Sequence, residues 1–138
     1  MSTPRSPIDL SDQEWRERLS PEQYQVLRRA ATEPAWSGKF LHVDDHGVFS
    51  CAGCGAALFS TDDKFDSGSG WPSFGRAIAD GTIVEKEDRS HGIVRTEITC
   101  ARCGGHLGHV FADGPTETGL RYCVNSLALD FEKEKPAG

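Results

Sequence analysis

The chain has 138 residues, a formal charge of −6 at pH 7, 37% hydrophobic residues and 15 glycines. That is enough for one domain with its own modest core and many turns, expected to span residues 1–138. The acidic balance excludes the basic face that nucleic acid requires, and no stretch approaches the roughly 18 apolar residues of a membrane span.

Residues 1–7 are polar, contain two prolines and are expected to form a flexible leader. Met1 to Leu10 has no apolar run of the secretory kind, so a cytoplasmic setting is expected. Ser11-Asp-Gln-Glu14 is a capping-box pattern that predicts a short helix with Trp15 and Leu19 on one face. Ser20-Pro21-Glu-Gln23 repeats the signal with proline at the first helical position, and Tyr24, Leu27 and Ala31 fall on one stripe. Glu33-Pro34 is expected to end that helix.

From residue 36 the pattern turns to β. Strands are expected at Gly47–Cys51, Ala57–Ser60, Ile83–Lys86, Ile93–Thr99, His109–Phe111 and Arg121–Phe131, with Asp113-Gly114-Pro115 marking a loop. Residues 132–138 read as a frayed charged tail. The sum is a mainly β, antiparallel domain with short N-terminal helices as a cover. Nothing in the pattern demands an obligate interface, and a monomer is expected.

Four of the five cysteines form matched pairs, Cys51-Ala-Gly-Cys54 and Cys100-Ala-Arg-Cys103. Two residues between cysteines let both sulfurs turn to one cation, and two such pairs complete a tetrahedral thiolate site suited to zinc. Gly55, Gly104 and Gly105 follow the pairs, where glycine permits a tight knuckle and lets backbone N–H groups approach the sulfurs. Disulfides and a redox dithiol are the competing readings. The first belongs to small secreted domains, and the second needs a single pair in a βαβ setting. A four-thiolate zinc has no open position, so its role would be structural.

Cys123 stands apart in Arg121-Tyr-Cys-Val-Asn-Ser126. A lone cysteine is more often a small buried hydrophobe than a catalyst, but extended backbone here puts Arg121, Cys123 and Asn125 on one side. Arg121 is then expected to favour the thiolate and Asn125 to supply a hydrogen bond, which makes Cys123 the candidate nucleophile. His106 and His109 follow the second knuckle. With the ion already saturated by cysteines, they are free to act as proton donors. His42, His46 and His91 have no comparable context. Phe65 to Phe74 reads as a glycine-rich loop able to present Trp71 to a ligand.

Together these segments resemble the methionine-R-sulfoxide reductase B family. The matching stretches are Thr32-Glu-Pro-Ala-Trp-Ser-Gly-Lys-Phe40, both knuckles, Gly70-Trp-Pro-Ser-Phe74, Gly105-His-Leu-Gly-His-Val-Phe111, Asp113-Gly-Pro115 and Arg121-Tyr-Cys-Val-Asn-Ser126, in order over most of residues 11–131. The resemblance implies two small antiparallel sheets stapled by zinc, a tent-like arrangement, and reduction of the R epimer of methionine sulfoxide in oxidised proteins. It implies Cys123 as nucleophile, Trp71 as the wall for the substrate methyl group, His106 and His109 near the sulfoxide oxygen, and Asp113 and Asn125 in support. Phe74 and Arg121 complete the expected substrate-binding set.

Many family members carry a resolving cysteine where this chain has Ser69. Four cysteines on zinc leave Cys123 alone, so an external thiol such as thioredoxin, glutaredoxin or glutathione is expected to reduce its sulfenic acid. The competing class is a non-catalytic zinc-stapled β module that binds a peptide or partner in the same groove. The presence of Cys123, His106, His109 and Trp71 favours the enzyme.

Overall fold

A computed structural model describes residues 10–133. The leader expected at residues 1–7 lies outside the described residues, as does most of the expected tail.

Helices α1 (Asp12–Arg18) and α2 (Pro21–Arg29) both open on capping boxes. In each, the serine side chain accepts from the N3 backbone and the N3 side chain accepts from the serine backbone. Each box satisfies two otherwise unpaired N–H groups, an effect of about 1 kcal/mol apiece. The second helix ends earlier than Glu33-Pro34, because Ala30 adopts a left-handed conformation (φ 58°) and caps it. Ala31 therefore leaves the helical stripe, and Tyr24, Val26 and Leu27 make its buried face.

Among the described residues nine strands follow: β1 (Gly47–Cys51), β2 (Ala57–Ser60), β3 (Lys64–Phe65), β4 (Ser73–Phe74), β5 (Ile83–Asp88), β6 (Arg95–Cys100), β7 (His106–Phe111), β8 (Arg121–Val124) and β9 (Leu129–Lys133). They form two antiparallel sheets, ordered β2-β1-β9 and β3-β4-β8-β7-β6-β5. Phe49, Phe59 and Phe74 are fully buried, with Phe59 stacked on Phe74 at 4.4 Å and Phe49 edge-on to Phe74 at 5.2 Å. These contacts join strands of the two sheets.

Three expectations shift. The single strand expected over Arg121–Phe131 is two strands in different sheets, split by a 3₁₀ turn at Ser126–Ala128. Glu132 and Lys133, expected in the tail, pair with Val48 and Gly47 of β1. The loop expected over Phe65–Phe74 begins and ends in paired residues, since Lys64–Phe65 and Ser73–Phe74 make a short ladder.

The cysteine pairs link the sheets. Cys51 ends β1 in the smaller sheet, and Cys100 ends β6 in the larger one. Gly55 (φ 80°) and Gly104 (φ 75°) take left-handed turns that L side chains resist, returning N–H bonds to Cys51 O and Cys100 O. The helices cover this region: Arg28 donates to the Cys103 carbonyl at 2.9 Å and lies over the Trp15 ring. Among the described residues, no helix is long and apolar enough to cross a membrane.

Candidate active site

Strand register builds the site. Across the larger sheet, Phe65, Ser73, Cys123, His109, Glu97 and Lys86 are successive partners in one lateral row. Adjacent strands present directly opposed residues on the same face, so His109 stands beside Cys123 by pairing alone. The neighbouring row holds Phe74, Tyr122 and Val110, all buried on the core face.

Cys123 is half-buried in a cavity of about 230 Å³ lined also by Trp71, His109, Arg121 and Asn125. Arg95, Phe111, Thr32 and Ser69 complete its polar and aromatic walls. Arg121, Cys123 and Asn125 thus share a side, as extended backbone requires.

Burial pushes the Cys123 thiol up from its ordinary range, while hydrogen bonding from Ser69 and the positive charge of Arg121 pull it down without prevailing. Arg121 favours the thiolate, as its charge requires, but desolvation of the anion is the larger effect. Arg121 is gripped at both ends of its fork by Asp113, Nε to Oδ1 at 2.9 Å and Nη2 to Oδ2 at 3.2 Å. It also lies 4.4 Å over the Phe111 ring. The same guanidinium holds the Asp113 carboxyl below its usual range.

The two histidines are not equivalent. His109 lines the cavity, and its Nε2 lies 2.8 Å from Asp88 Oδ2. Asp88 also receives Ser90 N–H and Arg95 Nη2, and the His109 hydrogen bond holds its carboxyl well below the usual range. His106 is not part of the lining. It is buried behind, 5.6 Å from the His109 ring, with Nδ1 2.7 Å from Glu97 Oε2. Burial pulls its pKa down despite that carboxylate.

Two further expected residues lie off the cavity wall. Phe74 is in the core, because alternation along β4 gives the site face to Ser73. Asp113 is exposed and reaches the site only through Arg121. The Asn125 amide is already committed to backbone, accepting from Glu33 N–H and donating to Leu107 O. Arg95, Asp88 and Glu97 escaped the sequence reading, which followed the apolar face of β6. The alternation of Arg95 and Glu97 opposite Thr96 and Ile98 was the available signal.

The four paired cysteines are all buried, with their sulfurs within 4.8 Å of one another. Gly53 and Gly105 N–H groups each approach a sulfur at 3.3 Å. This is a donor set that fits a metal ion, and Cys123 takes no part in it.

A thiol in an indole-walled cavity, on a sheet tied to its neighbour by a separate cluster of four cysteines able to hold a metal ion, is an arrangement suited to cysteine chemistry on a β scaffold. Comparison with known families narrows the class. The SelR domain matches residues 19–133. A protein named peptide methionine sulfoxide reductase MsrB from Leptospira interrogans is 54% identical over 127 residues, covering 92% of this chain and 97% of its own length. Proteins of the same name from Acinetobacter baumannii and Bradyrhizobium diazoefficiens are 52% and 56% identical, covering 93% and 88% of this chain and 92% and 88% of their own lengths. The chain belongs to the methionine-R-sulfoxide reductase B family and is an oxidoreductase.

Proposed function

We propose that this chain, acting as one domain, reduces the R epimer of methionine sulfoxide in oxidised proteins, with Cys123 as nucleophile. The observation that supports this most is the register that sets Cys123 against His109 within a cavity walled by Trp71. The Trp71 face offers an apolar seat for the S-methyl group, with sulfur–aromatic contact contributing about 0.3–1.5 kcal/mol.

The Cys123 proton passes to His109, and the sulfur attacks the sulfoxide sulfur. The sulfoxide oxygen takes up a proton from His109, which Asp88 orients, and His106 backs that ring from the protein interior. Arg121, aligned by Asp113, favours the attacking thiolate against its burial. The oxygen ends on Cys123 as a sulfenic acid, and the thioether leaves. The sulfoxide sulfur gains the two electrons that the cysteine sulfur loses.

A first external thiol then condenses with the sulfenic acid, releasing water and leaving a mixed disulfide. A second thiol displaces Cys123 and carries away the disulfide product. Ser69 has no sulfur to intervene, and the other four cysteines are committed to the cluster. Thioredoxin, glutaredoxin or glutathione fit the external role. The cluster residues Cys51, Cys54, Cys100 and Cys103 would hold a structural zinc, and with four thiolates as ligands it would serve the fold and supply no chemistry to the reaction.

The test is turnover of blocked methionine sulfoxide, R and S epimers assayed separately with dithiothreitol, with Cys123→Ser as control. Turnover of the R epimer alone, lost in the variant, is the expected result. No turnover of either epimer by metal-loaded protein would replace this reading with a peptide-binding module. After oxidation by substrate, mass spectrometry should find sulfenic acid or a thiol adduct on Cys123; an internal disulfide to Cys123 would defeat the external-thiol route.

A further inference from the structure

Trp71 and Asn125 stand on different elements, yet both are tied to the backbone of one residue outside the two sheets. Trp71 Nε1 donates to the Glu33 carbonyl at 3.0 Å, and the Glu33 N–H donates to Asn125 Oδ1 at 3.0 Å. Glu33 lies in the irregular stretch after α2, and at 3% exposure its carboxyl is inside the protein. Burying a carboxyl is expensive unless its oxygens are engaged.

One of the two oxygens is engaged, locally and specifically. Glu33 Oε1 accepts the Leu127 N–H at 2.9 Å, just beyond the point where the chain leaves β8. Oε2 accepts no hydrogen bond and is enclosed beneath Gly38, where a Cβ would fall 2.4 Å from it and 2.2 Å from Ser126 Oγ. The Ser126 hydroxyl in turn receives the Phe40 N–H at 3.2 Å. Residues 33–40 are thereby fastened to the 3₁₀ turn that follows the nucleophile strand. Burial pushes the Glu33 carboxyl up, against hydrogen bonding from Leu127 and Ser126.

We infer that Glu33 is a positioning residue of the sulfoxide site: its side chain, anchored on Leu127 beneath Gly38, fixes its own backbone, and that backbone sets the Trp71 indole and the Asn125 amide. The inference rests on the function proposed above and deepens it. The seat for the substrate methyl group is set from outside the sheet that carries the nucleophile. Glu33 touches no reacting atom, so its loss should show in how the substrate is held before it shows in the chemistry.

The experiment compares Glu33→Ala and Glu33→Gln, with each epimer of blocked methionine sulfoxide assayed separately. Glu33→Ala should raise the R-epimer KM about tenfold and lower the R-to-S preference by a similar factor, with kcat changed less than about threefold. Glu33→Gln keeps an oxygen for Leu127 and should restore both quantities to within about threefold of the parent. If the alanine variant does not fold, Glu33→Asp serves, because its carboxylate falls one methylene short of Leu127 and should give the same KM and epimer changes. An active parent whose Ala or Asp variant loses melting temperature but keeps KM and epimer preference overturns the inference alone. A parent that reduces neither epimer overturns the proposed function and this inference with it.

Discussion

Two cysteines of the larger sheet, Cys100 and Cys123, meet opposite fates. Cys100 closes β6 among three other buried cysteines, of which Cys51 and Cys103 are approached by glycine N–H groups. Cys123 lies in β8, half-buried, facing a cavity with a histidine on one side and an arginine fork on the other. The sulfur is the same atom in both places. What differs is the number of sulfurs within reach and whether a substrate can enter. The first arrangement is closed and serves to join sheets. The second holds a thiol whose pKa burial raises, and the charged neighbour moderates that desolvation without abolishing it.

The comparison can be broken from either side. Stripping the metal, or changing Cys51 or Cys100 to serine, should remove ~5 kcal/mol or more of stability, read by calorimetry, because the cluster joins the two sheets. Cys123→Ser should leave the melting temperature within about 3 °C and lower turnover by about a thousandfold or more. Equal loss of stability at both positions would erase the distinction drawn here. The histidines sharpen it further. His109→Asn should cost about a hundredfold in kcat, and His106→Asn about tenfold or less, since only His109 lines the cavity. Equal losses would show that the buried ring also reaches the substrate.

The smallest effect concerns pH. Alkylation of Cys123 should accelerate as pH rises, because the thiolate fraction grows as pH climbs through a raised pKa. Arg121→Ala removes a downward pull and should move that rise to still higher pH, slowing alkylation at neutral pH by about threefold. A rise displaced to lower pH would contradict the assigned role of the guanidinium.

Local signals in the sequence were enough for the helix caps, the knuckles and strands β1 and β2. Ser11 and Ser20 act on neighbours three residues away, and each cysteine pair closes its own turn. The same holds for the side shared by Arg121, Cys123 and Asn125, which needs only an extended backbone. Pairing between distant strands was not legible. It decides that Ser73 and not Phe74 faces Cys123, that Glu97 supports His106, and that Asp88 reaches His109. Glu33 was read as a helix terminator because nothing nearby in sequence announces its partners, Trp71, Asn125 and Leu127. The change of sheet after Asn125 was hidden for a similar reason: a strand and a strand–turn–strand share one apolar alternation.

That change of sheet has a bearing on how the molecule would fail. The chain passes from Cys123 through one 3₁₀ turn to Leu129, which is the strand partner of Cys51 in the four-cysteine cluster. So short a tether leaves little slack between the reactive thiol and the staple. Damage to the cluster would pull directly on the nucleophile's strand. Such a protein has little room to persist as a folded but inactive remnant, and its inactivation and its exposure to proteolysis would be one event.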